Sequence, residues 1–296
     1  MADTLLLLLK ICVVFATAGS LLELGLQLQL RQTVAGLRNL RFALLTLLWG
    51  FALGPALAVL LSRVLFLDEP YAIGLIVMSM VPGAAYLSIL VNWARGDLGY
   101  SASALLLTCL GIVVFVPLVL PMIVAGVSVS AWAIAKPLIV LVLVPFVVGL
   151  AIRQRSERVV GKIHPFIKKI AGIGLAGCLV LTVLLYARGI VLSAGSRALL
   201  SLLLFYVLAT LLSYVSAIGM PDSQKRVLGL AICSRNSGPA MATVLSIPKV
   251  DGNAVVMVAL GILAQAALSF PLARWLGKRA AATEGSAASA DATDLN

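Results

Sequence analysis

Nine apolar stretches follow one another through this 296-residue chain, and the third and eighth carry helix breakers near their centres. The breakers are Pro82-Gly83 in SMVPGAAYL and Ser237-Gly238-Pro239 in CSRNSGPAM. A break inside a bilayer releases backbone N–H and C=O groups that lipid cannot satisfy, so it is tolerated only beside protein or a water-filled cavity. Paired breaks therefore predict a buried site. The broken stretches are five spans apart, so a chain that crosses with every span runs through them in opposite directions. That is the pattern of an inverted-repeat carrier, with its site between the unwound segments.

Composition agrees with spans rather than a soluble core. Hydrophobic residues make up 62% of the chain, charged residues 11%, and the mean hydropathy is +1.12. The fold class expected is an all-α integral membrane protein of nine transmembrane helices. Runs of about 20 apolar residues suffice to cross a ~30 Å hydrocarbon layer. They fall at about 4–28, 42–66, 71–94, 98–126, 133–152, 167–187, 197–219, 225–246 and 253–275. Asp3 is the only charge before the first run, which argues against a cleaved signal sequence, whose leading region is basic. After Arg279 the sequence turns small and acidic, and 280–296 is expected to be a disordered tail.

The net charge of +11 reads as topology and not as nucleic-acid binding. Sorting Lys and Arg by alternate loops puts fifteen on one face and five, Arg63, Lys136, Arg188, Arg197 and Lys249, on the other. The crowded face is cytoplasmic under the positive-inside rule, with the N-terminus outside and the C-terminus inside an inner or plasma membrane. Cys12, Cys109, Cys178 and Cys233 lie within spans, and no Cys/His spacing suggests a disulfide framework or a structural metal. His164, beside Pro165 in the most basic loop, reads as a solvated loop residue. No phosphate-binding loop, dinucleotide fingerprint, HExxH or GxSxG occurs, so neither an enzyme nor a cofactor is expected. Oligomeric state is not readable; a monomer would suffice.

Three ionisable residues lie inside spans away from the interfaces: Lys10, Glu23 and Arg235. A charge at mid-span costs about 2.5–3.5 kcal/mol on insertion scales and needs a cavity or a partner. Lys10 can snorkel to the outer interface and Glu23 lies near the other end of the first span, whereas Arg235 sits at mid-span beside the second break. Its guanidinium is suited either to an anionic substrate or to a partner such as Glu23 or carbonyls freed by the break. Tyr86, Ser88, Ser101, Ser103, Ser234, Asn236 and Ser237 cluster around the two breaks and read together as cavity lining. Arg95-Gly96-Asp97 reads as a tight turn.

At these residues the chain resembles the bile acid:sodium symporter family, through ELGLQL at 23–28, GFALGP at 50–55, VPGAAYLSILVNWARGDLGYSAS at 81–103 and RVLGLAICSRNSGPAMA at 226–242. The resemblance implies two bundles. A core would hold 42–126 and 197–279, with broken helices that cross at mid-membrane; a panel would hold 1–41 and 127–196. It also implies a cleft for small or amphipathic organic anions, with Pro82, Gly83, Gly238 and Pro239 shaping the breaks. Where the family places sodium ligands, this chain has Gly50, Leu87, Leu105 and Ala231, with Arg235 at a further ligand position and only Ser88 and Ser101 keeping hydroxyls. The expectation is thus a secondary carrier of organic anions with little or no sodium coupling, in which Arg235 supplies a fixed positive charge and Glu23 is a charge partner or proton site. The alternatives are a sodium-coupled symporter with a rebuilt ion site and a non-transporting receptor or binding scaffold.

Overall fold

The computed structural model describes residues 2–123, 131–195 and 197–293. Every regular element among them is helical. The first span is α1 (Ala2–Gln27), followed by a short amphipathic helix α2 (Leu30–Arg38) where a loop was expected. The second span is α3 (Leu40–Leu48), a π-turn (Trp49–Leu53) and α4 (Gly54–Val64). The third is interrupted, as α5 (Glu69–Ser79) and α6 (Leu87–Trp93), and α7 (Leu98–Ile123) follows it. Next come α8 (Ala131–Leu138), a second π-turn (Ile139–Leu143) and α9 (Val144–Arg155), then α10 (Glu157–Gly195) and α11 (Ala198–Ser216). The eighth apolar stretch is again interrupted, as α12 (Asp222–Cys233) and α13 (Ser237–Ser246), before α14 (Gly252–Thr293). Seven of these helical stretches are long and apolar enough to cross a membrane. The helix of α14 runs on through the stretch expected to be a disordered tail, and 294–296 lie outside the described residues, as does the 124–126 end of the fourth span.

Proline placement explains the π-turns. Pro55 and Pro145 stand in the first turn of α4 and α9. They lack the N–H that would continue the ladder, and the residues before them, Gly54 and Val144, donate five residues back to Trp49 and Ile139.

The loop expected around His164 does not exist. Helix begins at Glu157 and continues through Pro165, so His164 lies on α10 one helical turn before Lys168. A run of basic residues had suggested a loop, but Arg, Lys and Glu are good helix formers and the ion pair Arg153–Glu157 (3.2 Å) spans the junction with α9.

α1 packs against α9 and α10 through small residues. A Cβ on Gly25 would lie 2.3 Å from Phe146 O, and one on Gly149 would lie 2.4 Å from Leu22 O, so α1 and α9 touch backbone to backbone. Elsewhere α2 packs on α7, α5 on α14, and α11 on α12. The Arg95–Asp97 turn behaves as expected: Asp97 Oδ1 accepts from the N–H groups of Gly99 (2.8 Å) and Tyr100 (3.1 Å), capping α7. Arg226 of α12 donates to the carbonyls of Ala94 (2.9 Å) and Arg95 (3.0 Å), fixing the second broken span to the end of the first.

Candidate functional site

The two breaks meet. Residues 80–86 leave the helix between α5 and α6, residues 234–236 do so between α12 and α13, and Pro82 and Arg235 form an antiparallel bridge. Asn236 N–H donates to Val81 O (2.7 Å), and Gly83 N–H donates to Ser234 O (2.9 Å) and Ala231 O (3.1 Å). The polar backbone released by one break is thereby satisfied by the other. Gly83 is required at this point. Its φ is +83°, and an added Cβ would lie 2.4 Å from Thr108 Oγ1.

The second break is displaced from the residues that announced it. Ser237, Gly238 and Pro239 are helical and open α13, while Ser234, Arg235 and Asn236 unwind before them. The first turn of a helix has N–H groups without intrahelical partners, so Pro239 costs nothing there, and the chain is free to leave the helix upstream.

Arg235 is fully buried. Its backbone N–H donates to Gln265 Oε1 on α14, and Gln265 Nε2 donates to Ser237 Oγ (3.1 Å), so one amide clamps both sides of the break. The guanidinium donates through Nη1 to Ser79 O (2.8 Å), the carbonyl at the C-terminal end of α5, and lies 5.0 Å from the centroid of the Phe205 ring. A helix C-terminus carries partial negative charge and an aromatic face attracts cations, so both contacts offset part of the cost of burying the charge. Among the described residues Nε and Nη2 have no hydrogen-bond partner, and no ion pair joins Arg235 to Glu23.

A cavity of about 230 Å³ lies between the crossing and the helices α1 and α10. From the crossing it is lined by Tyr86, Arg235, Asn236, Ser237 and Gly238, and from the facing helices by Ser20, Glu23, Gln27 and Lys168. Gly238 closes one edge, since a Cβ there would lie 2.6 Å from Thr17 Cα of α1. Tyr86 is held by stacking on Phe270 (5.3 Å between centroids). A larger cavity, about 370 Å³, lies between α11, α12 and α14, but it is mostly apolar and touches neither unwound stretch. Charge, amide and hydroxyl groups converge only in the smaller one.

Not every expected residue joins them. Ser234 is buried within the crossing, 3.4 Å from Ala84 N–H. Ser88 and Ser101 face each other, Oγ to Oγ 3.4 Å, and neither lines the cavity. Ser103 is turned away altogether, donating to Thr33 O (2.6 Å) and Gly99 O (2.9 Å) to hold α2 on α7. Conversely, Lys168, Gln27 and Gln265 were passed over. Lys168 had been counted among topology charges; Gln265, a lone amide in an apolar span, carried a signal that could have found it.

Four of the positions that the resemblance aligns with sodium ligands carry no side-chain oxygen. Leu87, Leu105 and Ala231 are buried apolar residues, and Gly50 stands in the first π-turn, where a Cβ would lie 3.0 Å from Pro82 Cγ.

The family model for the sodium bile acid symporter family matches residues 18–194. The chain belongs to that family. Among curated proteins it is similar to "Probable sodium/metabolite cotransporter BASS3, chloroplastic" of Oryza sativa subsp. japonica, at 22% identity over 265 residues, 88% of this chain and 63% of that protein. The protein of the same name from Arabidopsis thaliana is also 22% identical over 265 residues, covering 88% of this chain and 62% of the relative. The chain thus spans somewhat under two thirds of the length of either relative. The match reaches α1, both π-turns, the first break and α10 of this member of the sodium bile acid symporter family, while the second break lies beyond it.

Proposed function

We propose that this protein is a secondary carrier of small organic anions that works by alternating access, with weak or no sodium coupling. Nine crossings, seven continuous and two broken, would place the meeting breaks at mid-membrane in an inverted repeat, with α3–α7 and α11–α14 as the moving core and α1, α8, α9 and α10 as the panel. Family membership and the two relatives named as sodium/metabolite cotransporters support the carrier class.

The seat of Arg235 is the observation that carries the reading of the ion. A guanidinium hydrogen-bonded to Ser79 O at the C-terminal end of a half-helix occupies the kind of place that a coupling cation takes in broken-helix transporters. It stays protonated and cannot leave with substrate. Sodium would be redundant there and repelled.

Substrate recognition falls to the opposite side of the crossing. Lys168 supplies an ammonium to the cavity, Asn236 an amide, and the opening turn of α13 at Ser237 and Gly238 the positive end of a half-helix, all suited to a carboxylate. Arg235 adds long-range positive potential, and Tyr86 an apolar wall. The volume of about 230 Å³ favours a small anion such as a keto acid over a steroid acid in this state. Glu23, Gln27 and Lys168 lie at the ends of α1 and α10 that the positive-inside rule assigns to the cytoplasm, so the state is inward-open, with the N-terminus outside.

Uptake of labelled organic anions into proteoliposomes, with and without a sodium gradient, tests the reading. Sodium-indifferent uptake in the wild type that collapses in Arg235→Gln is expected. Strict sodium dependence overturns the lost-site reading in favour of a rebuilt ion site, and binding of anion without uptake overturns the carrier in favour of a receptor.

A further inference from the structure

Glu23 of α1, on the cavity wall opposite the crossing, faces His164 of α10 just outside the lining, with Oε1 3.7 Å from Nε2. Gln27, one turn beyond Glu23, stands beside both: its Nε2 lies 3.0 Å from Glu23 Oε1 and 3.1 Å from His164 Nε2. With the amide donating both ways, His164 Nε2 is an acceptor, which describes a neutral ring with its proton on Nδ1. A proton on Nε2 turns that nitrogen into a donor. It then faces Glu23 Oε1 at 3.7 Å as an ion-pair partner, and the Gln27 amide gives up its bond to Nε2 while keeping the one to Glu23. The cluster therefore holds the neutral ring by hydrogen bonds and faces the protonated ring with the Glu23 carboxylate, two states that differ by one proton.

Its electrostatic surroundings are mostly basic. On α10 Lys168, one turn on, lines the same cavity, and Arg158, Lys162 and Lys169 add positive charge to the same helix. On α9 the charged residues are Arg153, paired with Glu157 at 3.2 Å, and Arg155. Across the cavity stand Tyr86 and Arg235, whereas α13 and the second π-turn carry no titratable side chain. Glu23 is the only carboxylate on a cavity that also carries two basic residues, and His164 is the only histidine in the chain.

We propose that Glu23 and Gln27 of the cavity wall, with His164 behind them, form a proton-binding site, and that one proton travels with each organic anion. This rests on the carrier reading. With the cavity open to one side, His164 Nε2 takes a proton from water there and the anion enters beside Lys168. After access changes, the proton returns to water on the far side and the anion follows. No bond other than those to the proton is made or broken, and for a monocarboxylate the net charge moved per cycle is zero. A mobile proton does here what a fixed guanidinium cannot, because it is released with the cargo.

The experiment uses the full chain in proteoliposomes with labelled pyruvate and labelled cholate as probes, a pH dye inside, and protein-free liposomes subtracted. In the wild type, external acid is expected to drive accumulation of at least one probe, with matching acidification inside and no response to a potassium–valinomycin potential. His164→Gln is expected to lose at least about tenfold in acid-driven accumulation while retaining counterflow between equal pools. Acid-driven accumulation that persists in His164→Gln overturns the proposal, as does loss of counterflow together with it. Glu23→Gln is the second variant and is also expected to lose the acid drive; its persistence there overturns the proposal too. A wild type that moves neither probe under any gradient, counterflow included, overturns the carrier reading itself.

Discussion

The two breaks do the same thing to their helices and are built from opposite materials. The first, Met80 to Tyr86, is seven residues long and mostly apolar, and it works through its backbone: Val81 O and Gly83 N–H, with Ser79 O at its threshold. The second is Ser234, Arg235 and Asn236, three polar residues, and it brings a charge and an amide to the cavity, where the first brings only Tyr86 and two alanines. One strand of the crossing is a frame and the other holds the chemistry. Damage to the frame should therefore cost stability, and changes on the polar side should cost function first.

Gly83→Ala is the largest expected effect. Left-handed backbone costs roughly 1–2 kcal/mol for a residue with a Cβ, and overpacking typically another 1–3. A stability loss of about 2–5 kcal/mol should appear as a lower unfolding midpoint in detergent. Gly219→Ala, also at positive φ (+79°) but with only Arg41 Nη1 at 3.4 Å near its Cβ, should lose only the backbone part. Equal losses at the two sites would mean that the crossing is not tight, and the contrast between the breaks would fail.

Next comes Gln265→Leu, which strands the buried Arg235 N–H and costs about 1–3 kcal/mol. Gln265→Glu keeps the acceptor and should cost less; the same unfolding assay decides, and indifference to both changes would remove the amide clamp from the account. Lys168→Met tests the polar side from the facing helix. Lys168 is exposed, so the unfolding midpoint should stay in place while KM for anion rises about tenfold, some 1.4 kcal/mol. An unchanged KM would return Lys168 to topology. Ser234→Ala is the smallest, below about 1 kcal/mol, since its hydroxyl makes only the 3.4 Å contact to Ala84 N–H.

Much of the frame was legible because proline and glycine announce themselves. Pro82-Gly83 marked the first break where it occurs, while the second was offset because Pro239 is harmless in a first turn. The apolar runs located the spans but not α2, whose nine residues form a helix by packing Gly36 against Ser103 of α7. Arg235 stood out as a mid-span charge, yet its direction did not. Which way the guanidinium turns depends on Ser79 and Phe205, 156 and 30 residues away in sequence. Lys168 and His164 were hidden for the same reason. A basic run reads alike whether it faces water or a cavity, and only the close approach of α1 to α10 separates the cases.

The bridge between Pro82 and Arg235 also sets an order on how the protein can be made. Ala84 and Ser234 are 150 residues apart, so the first broken helix is made well before its partner has been synthesised. Until then Val81 O and Gly83 N–H lack the groups that satisfy them, and the early half must wait in a hydrated or chaperoned form. Biogenesis of the first half is hostage to the arrival of the second.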